Sequence, residues 1–340
     1  MKAKRYFIIL GIFLEFMAGK DPVLTRVGWF PKESEKPVFK TATNMLIYKG
    51  RIFVVDNFKH RVLVYTKKGN FDRFIGRPGQ GPGDLNLPVE ISIYKDVIAV
   101  KDEIGFSFFQ LNGKFLRKFR VFTPRVSFVW RKDKIFYANA DVNSPYLIKV
   151  LSEKGRVLYT FGRKSRILPV YSPRETIKPF ESVVFSGKLL ADRRYLFYVN
   201  YAFARLTKIS FNGEILSQVN FYHILFPEQK KWLRENKDRV ISGKIRENQW
   251  ILIRFLFQDS YMDDGKIYVM EKPIKKDKMK IVKIITVNSV ELKVETIYKI
   301  ELTGDEQILA FAVCKENKKP EFYIAMRSEE GNVIARYKEK

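Results

Sequence analysis

From about residue 40 onward, the hydrophobic positions alternate with a period of two rather than 3.6. The segments RIFVVD (Arg51–Asp56), RVLVYT (Arg61–Thr66) and NFDRFIG (Asn70–Gly76) are short and rich in Val, Ile, Phe and Tyr. β-Branched and aromatic residues suit a pleated, packed surface, so each reads as a strand. TNMLIY (Thr43–Tyr48) precedes them, and YKGR, NFKH and KKGN separate them as turns. The pattern predicts four antiparallel strands joined by tight turns.

The unit recurs in Val89–Val121, Val126–Gly162, Glu181–Phe221 and Trp250–Ile300. In the last two, ESVVFSG (Glu181–Gly187) and WILIRFLFQ (Trp250–Gln258) read as the opening strands. The turn before the fourth strand falls at Gly69, Gly113, Gly155, Gly213 and, by position, Asn288. The spacing lengthens where two insertions enter, Arg163–Pro179 and Tyr222–Gln249. A sixth unit, ILAFAVCKE, EFYIAMR and NVIARYK, has three strands before the chain ends, while VLTRVGWF (Val23–Phe30) is a strand without a unit. Sheets that cannot bury both faces alone must stack, and a ring leaves only short edges. The expected fold is therefore all-β: six four-stranded antiparallel blades, with the N-terminal strand completing the sixth. Within the second insertion, Pro227–Ile241 reads as an amphipathic helix with Trp232, Asn236 and Val240 on one stripe, a cap on one face of the ring.

One connector invites a different reading. FIGRPGQGPGDLNLP (Phe74–Pro88) is dense in glycine, and glycine loops can cradle phosphates. A P-loop ends in Gly-Lys-Ser/Thr, whereas Gly83 is followed by Asp84. A dinucleotide fingerprint opens a helix, whereas a strand follows here, and Pro78 and Pro82 remove N–H donors. The loop reads as a joint from the outermost strand of one blade to the innermost strand of the next. With it, Arg51–Tyr94 resembles the NHL-type repeat of six-bladed β-propellers: Asp56 after the second strand, His60-Arg61-Val62 entering the third, and a Gly-rich run ending at Pro88. The other five units match in strand pattern only. The whole chain resembles bacterial exported six-bladed propeller proteins. The resemblance implies a propeller; relatives of that kind include RNA-binding and protein-interaction modules, a metal-dependent lyase and calcium-dependent lactonases, and fold alone does not choose among them.

The N-terminus bears on location. Lys2, Lys4 and Arg5 precede YFIILGIFL, with Ala18 and Gly19 after it. Basic, apolar, then small is the order of a secretory signal. Glu15 breaks the run short of the roughly 20 residues a membrane span needs. We expect a signal peptide over 1–19, a propeller over 20–340, and an exported protein, periplasmic or extracellular, with an uncleaved N-terminal anchor and a plain N-terminal strand or helix as the other arrangements. With Cys314 alone, no internal disulfide can form. His60 and His223 are the only histidines, too few for a three-histidine zinc site, and neither sits in a nucleophile motif.

The 340 residues carry 63 Lys and Arg against 37 Asp and Glu, a net charge of +26, spread along the chain. Such a field favours anionic partners, or is a bland property of a basic surface. The richest segment is the connector with Arg163, Lys164, Arg166, Arg174 and Lys178, the residues we expect an anionic partner or nucleic acid to meet. Propeller ligands sit over the channel, and the strand starts place Asn44, Glu90, Arg125 and Glu181 on its wall. Asn44, Glu90 and Glu181 offer oxygens to calcium, and Arg125 opposes it. SYMDDGKIYVME lacks the first carboxylates of a calcium loop and reads as a hairpin turn at Asp264-Gly265. No cofactor and no catalytic pair is expected. The reading is a monomeric binding module for a protein, peptide or envelope polymer. A basic RNA-binding propeller and a calcium-dependent hydrolase or lactonase are the alternatives.

Overall fold

The strands form where the apolar alternation places them, and each middle strand is buried on both faces. The computed structural model describes residues 21–31, 38–121, 127–138, 144–164, 186–242, 255–276, 279–328 and 331–339. Blade one is a meander of Ala42–Tyr48, Arg51–Asp56, Arg61–Thr66 and Phe71–Ile75. Blade two runs Glu90–Tyr94, Val97–Lys101, Gly105–Gln110 and Phe115–Arg120. Blade three runs Phe128–Arg131, Lys134–Ala138, Tyr146–Ser152 and Val157–Arg163, and blade four Gly187–Ala191, Tyr195–Asn200, Arg205–Ser210 and Ile215–Asn220. Blade five contains Phe257–Asp263, Lys266–Glu271, Met279–Asn288 and Val294–Thr303, plus a short Ile274–Lys276 paired to the third strand. Blade six is Gln307–Glu316, Lys319–Ser328 and Gly331–Glu339, and Leu24–Phe30 completes it, Leu24 opposite Glu339 and Phe30 opposite Ile334. The predicted closure of the ring by the N-terminal strand is thus the observed one.

Alternation sorts side chains between neighbouring blades. In blade one, Ile52 and Val54 join the core shared with blades five and six, while Phe53 and Val55 join the core shared with blade two. Similar seams join blades two and three (Phe106, Phe108, Trp130, Ile135), three and four (Phe136, Ile148, Leu189, Leu196), and four and five (Val199, Leu206, Phe257, Ile267). Burial of such side chains stabilises by about 1.5–3 kcal/mol each, so the seams hold the ring together. They also explain why the polar half of the alternation is blurred in the middle strands.

The in-phase glycines have a packing reason. An aromatic on the outer strand of one blade abuts the last hairpin turn of the next: Phe119 on Gly155, and Phe161 on Gly213. Phe30, from the N-terminal strand, does the same to Gly69, so that strand acts in blade six as the fourth strands act elsewhere. At Gly213 the backbone is left-handed (φ +92°), and an added Cβ would lie 2.5 Å from Phe161 Cβ.

Two opening strands differ from the sequence expectation. Those of blades four and five are Gly187–Ala191 and Phe257–Asp263, not Glu181–Gly187 and Trp250–Gln258. Residues 181–185 and 250–254 lie outside the described residues. The true strands carry Lys188, Asp259 and Ser260, which made them read as polar. Asp264-Gly265 forms the expected hairpin turn, with φ of 41° and 73°.

The faces of the ring differ. One carries the connectors between blades and the turns between second and third strands, the other the first and last hairpin turns of each blade. On the connector face, buried acceptors at the ends of second strands hold neighbouring chain. Asp56 accepts the N–H groups of Lys40 (2.9 Å) and Thr41 (3.1 Å), and Asp102 those of Asn86 (3.1 Å), Ile104 (2.9 Å) and Gly105 (2.7 Å). In the Gly-rich connector, Asp84 accepts from Arg77 Nε (2.7 Å) and the Gly81 N–H (3.0 Å), closing the joint on itself. The predicted helix spans Pro227–Ser242. Glu271 accepts the Phe226 N–H at 2.7 Å, Gln229 donates to the Lys272 carbonyl at 2.9 Å, and Trp232 packs against the seams on either side of blade four. The helix therefore caps the connector face. The side chains of Asn236 and Val240 are outside the described residues.

We predict that Gly213→Ala destabilises the fold by about 2 kcal/mol, through overpacking against Phe161. Gly331→Ala, at a left-handed position with nothing near its added Cβ, should cost less. Urea unfolding of both variants checks this.

Candidate functional site: the central channel

Each blade presents its first strand to the axis, and that strand is a sheet edge. Its outward N–H and C=O groups have no ladder partner and must find other ones. Side chains of other blades supply them. Glu90 Oε2 accepts the Phe128 N–H at 2.7 Å, and Ser92 Oγ the Trp130 N–H at 3.0 Å, both from blade two to blade three. Ser127 Oγ accepts the Leu189 N–H at 2.9 Å, and Asp259 Oδ2 the Phe311 N–H at 3.2 Å. Tyr261 Oη reaches from blade five to the edge of blade one, accepting the Ile47 N–H at 3.0 Å.

These caps are linked. Ser127 donates to Glu90 Oε1 at 2.8 Å, and Lys188 Nζ donates to Asp259 Oδ1 at 2.7 Å. Asn44, Glu90, Lys188 and Asp259 are all more than nine-tenths buried, so the connector-side end of the channel is a belt of desolvated polar groups. Burial pushes the Glu90 carboxyl up to about 7, against the opposing pull of Lys188 and the hydrogen bond from Ser127. Burial likewise holds the Tyr201 hydroxyl, 3.4 Å from Asp259, well above its ordinary range. The side-chain oxygen of Asn44 is buried without a hydrogen-bond partner.

Beyond the belt lies a cavity of about 1140 Å³ lined by the first strands of five blades. Leu46, Ile93 and Leu190 form part of its wall, and Tyr48, Tyr94 and Arg131 stand towards the turn face. The Arg131 guanidinium donates to the carbonyls of Trp130 (2.8 Å) and Ile93 (3.0 Å). It lies 5.6 Å from the Tyr94 ring centroid. Such a chamber, apolar in the middle and polar at both ends, can enclose a small molecule and orient it.

The family model described as 6-bladed beta-propeller, DUF5128, matches residues 34–310. The chain belongs to this family. Among solved structures, it is similar to a protein described as exported from Bacteroides fragilis, with 11% identity, a TM-score of 0.56, and coverage of 94% of this chain and 96% of that one. It is also similar to a member of the DUF4221 family from Bacteroides vulgatus, with 12% identity, a TM-score of 0.55, and coverage of 94% and 99%. At those identities the likeness is one of fold. No curated protein matches the chain.

Within this six-bladed propeller, two of the residues expected on the channel wall, Asn44 and Glu90, line the cavity. Arg125 and Glu181 lie outside the described residues, as do Arg166, Arg174 and Lys178. Of the basic connector, Arg163 is exposed at the end of its strand, whereas Lys164 is fully buried and so does not belong to a solvated cationic face. The carboxylate of Glu90 is committed to Ser127 and the Phe128 N–H. Among the described residues no three His, Cys, Asp or Glu side chains gather into a metal site. Lys188, Asp259, Ser127 and Tyr261 were missed. A signal for five polar positions at the connector-side end of the channel was present in the hairpin turns. Counting back five residues from Lys49, Lys95, Lys132, Arg193 and Asp264 gives Asn44, Glu90, Ser127, Lys188 and Asp259.

The raised Glu90 carboxyl makes a signed prediction. Its protonated form is favoured in the fold, so its contribution is fully present below the ordinary value of 4.5 and is lost as pH rises through about 7. Glu90→Gln should remove about 3 kcal/mol of stability loss over that window, read by urea unfolding at a series of pH values. Glu271, also raised to about 7 by burial, leaves a residual slope in the variant.

Proposed function

We propose that the chain is an exported, non-catalytic propeller that binds a ligand in its central channel. The observation carrying this reading is the cavity of about 1140 Å³ on the axis, walled by five blades. The wall groups support binding rather than turnover. Glu90, Ser127, Lys188 and Asp259 are engaged with each other and with strand edges, an arrangement suited to holding a shape. Neither histidine is placed as a base: His60 accepts the Leu87 N–H at 3.1 Å through Nδ1, in a blade-to-blade joint, and His223 lies beside the helix cap.

Two further observations support the finer parts of the reading. The basic, apolar and small-residue order of residues 1–19 supports export, and the similar fold of a Bacteroides protein described as exported accords with it. The roles of Asp56, His60 and the Gly76–Pro88 joint support reading blade one as NHL-type. There the buried Asp and the His acceptor hold the chain that joins blades.

The test is to purify the protein from its native host and measure its location and intact mass under native and denaturing conditions. The expected result is a mature form outside the cytoplasm, beginning near Lys20, that carries a small-molecule mass released on denaturation. A full-length cytosolic form without such a mass would contradict the proposal.

A further inference from the structure

On the turn face, tight hairpins close the channel wall of each blade. Lys49, Lys95, Lys132 and Asp264 occupy the first turn position of blades one, two, three and five, with φ of 46°, 49°, 51° and 41°. In the next position stand Gly50, Asp96, Asp133 and Gly265. This register builds ion pairs between neighbouring blades. Lys49 of blade one meets Asp96 of blade two at 2.7 Å, and Lys95 of blade two meets Asp133 of blade three at 3.7 Å. Asp264 of blade five pairs with Lys315 of blade six.

The series breaks between blades three and four. Lys132 should meet an acid in the turn of blade four, but the turn there reads Asp192-Arg193-Arg194. Where blades two and three carry Asp96 and Asp133, blade four carries Arg194. Lys132 instead lies 4.5 Å from the Phe211 ring centroid. Asp192 accepts the N–H groups of Arg194 (2.6 Å) and Tyr195 (2.7 Å) through one carboxylate oxygen. Lys132, Arg193 and Arg194 are exposed and form no ion pair among the described residues. Arg131 is held by the carbonyls of Ile93 and Trp130, and Asp192 acts on it through space without a direct ion pair among the described residues. All four basic residues line the mouth of the cavity, as do Asp192 of the same turn and Asp263 and Asp264 of the neighbouring blade five.

Four basic side chains against the single nearby carboxylate of Asp192 leave an excess of positive charge, and guanidinium groups suit a carboxylate or phosphate. Inward of the cluster the wall is Leu46, Ile93 and Leu190. We infer that the channel takes an amphiphilic organic anion, its apolar body in the cavity and its acidic group at Lys132, Arg193 and Arg194. This rests on the reading of the channel as the binding site, and it adds the ligand's chemical class and orientation.

The test is calorimetric titration of wild type and Arg194→Asp with octyl phosphate, octyl glucoside and inorganic phosphate, the octyl probes below micelle-forming concentration. Arg194→Asp restores the acid found in blades two and three and gives Lys132 a partner, so the variant should fold at least as stably. A thermal melt checks that. A second variant, Lys132→Gln/Arg193→Gln, removes charge without adding any. The expected result is that octyl phosphate binds wild type and is weakened at least about tenfold in both variants. Octyl glucoside and inorganic phosphate should each bind wild type at least about tenfold more weakly than octyl phosphate. If octyl phosphate and octyl glucoside bind all proteins alike, the anion assignment is overturned while the channel reading stands. If inorganic phosphate binds as tightly as octyl phosphate, the amphiphile is overturned and the cavity has no part in recognition. Absence of binding by all three probes overturns the inference.

Discussion

A propeller must satisfy the inner edge of every blade. Six first strands turn their open edges to one axis, and a buried backbone group without a partner costs about as much as a lost hydrogen bond. Here the edges are satisfied by Glu90, Ser92, Ser127 and Asp259 of neighbouring blades, and by Tyr261, which reaches from blade five to blade one. The caps do two things together. They tie blade to blade at the axis, and they leave the middle of the channel open. The cavity is the space left when edges are capped by neighbours rather than by a plug.

The rest of the ring follows from the same economy of contacts. Seams such as Phe53 with Ile91, or Phe136 with Leu196, bury the two faces of each blade. Aromatic-on-glycine contacts lock the outer hairpins, and buried acceptors such as Asp56 and Asp102 hold the connectors. Polar groups are thereby spent on architecture at the connector face. At the turn face they are spent on ion pairs between blades one and two, two and three, and five and six. The chemistry left over for a ligand is concentrated where the pairing fails.

Much of this was legible in the chain. Period-two alternation marked the blades, the glycines from Gly69 to Gly213 set their phase, and Val23–Phe30 stood out as the strand the last blade lacks. Asn44 and Glu90 were reachable because the first strands of blades one and two are apolar enough to be recognised. Lys188 and Asp259 were hidden for the opposite reason. A strand whose side chains cap an edge carries polar residues, so a hydrophobic pattern slides past it to the nearest apolar run, as it did at Glu181–Gly187 and Trp250–Gln258. The ion pairs of the turn face were hidden too. They join residues about 40 positions apart whose meeting depends on the register of two neighbouring hairpins.

The measurement that bears most directly on this account is amide hydrogen exchange at the inner edges, residue by residue, in wild type and Asp259→Ala. The Phe311 N–H faces the axis and is bonded only if Asp259 caps it across the blade boundary. The account predicts that this amide, with those of Phe128, Trp130 and Leu189, exchanges as slowly as amides inside a sheet. It also predicts that Asp259→Ala frees Phe311 while leaving Phe128 protected by Glu90. Rapid exchange at all four positions in wild type would contradict the claim that neighbouring blades complete one another's edges.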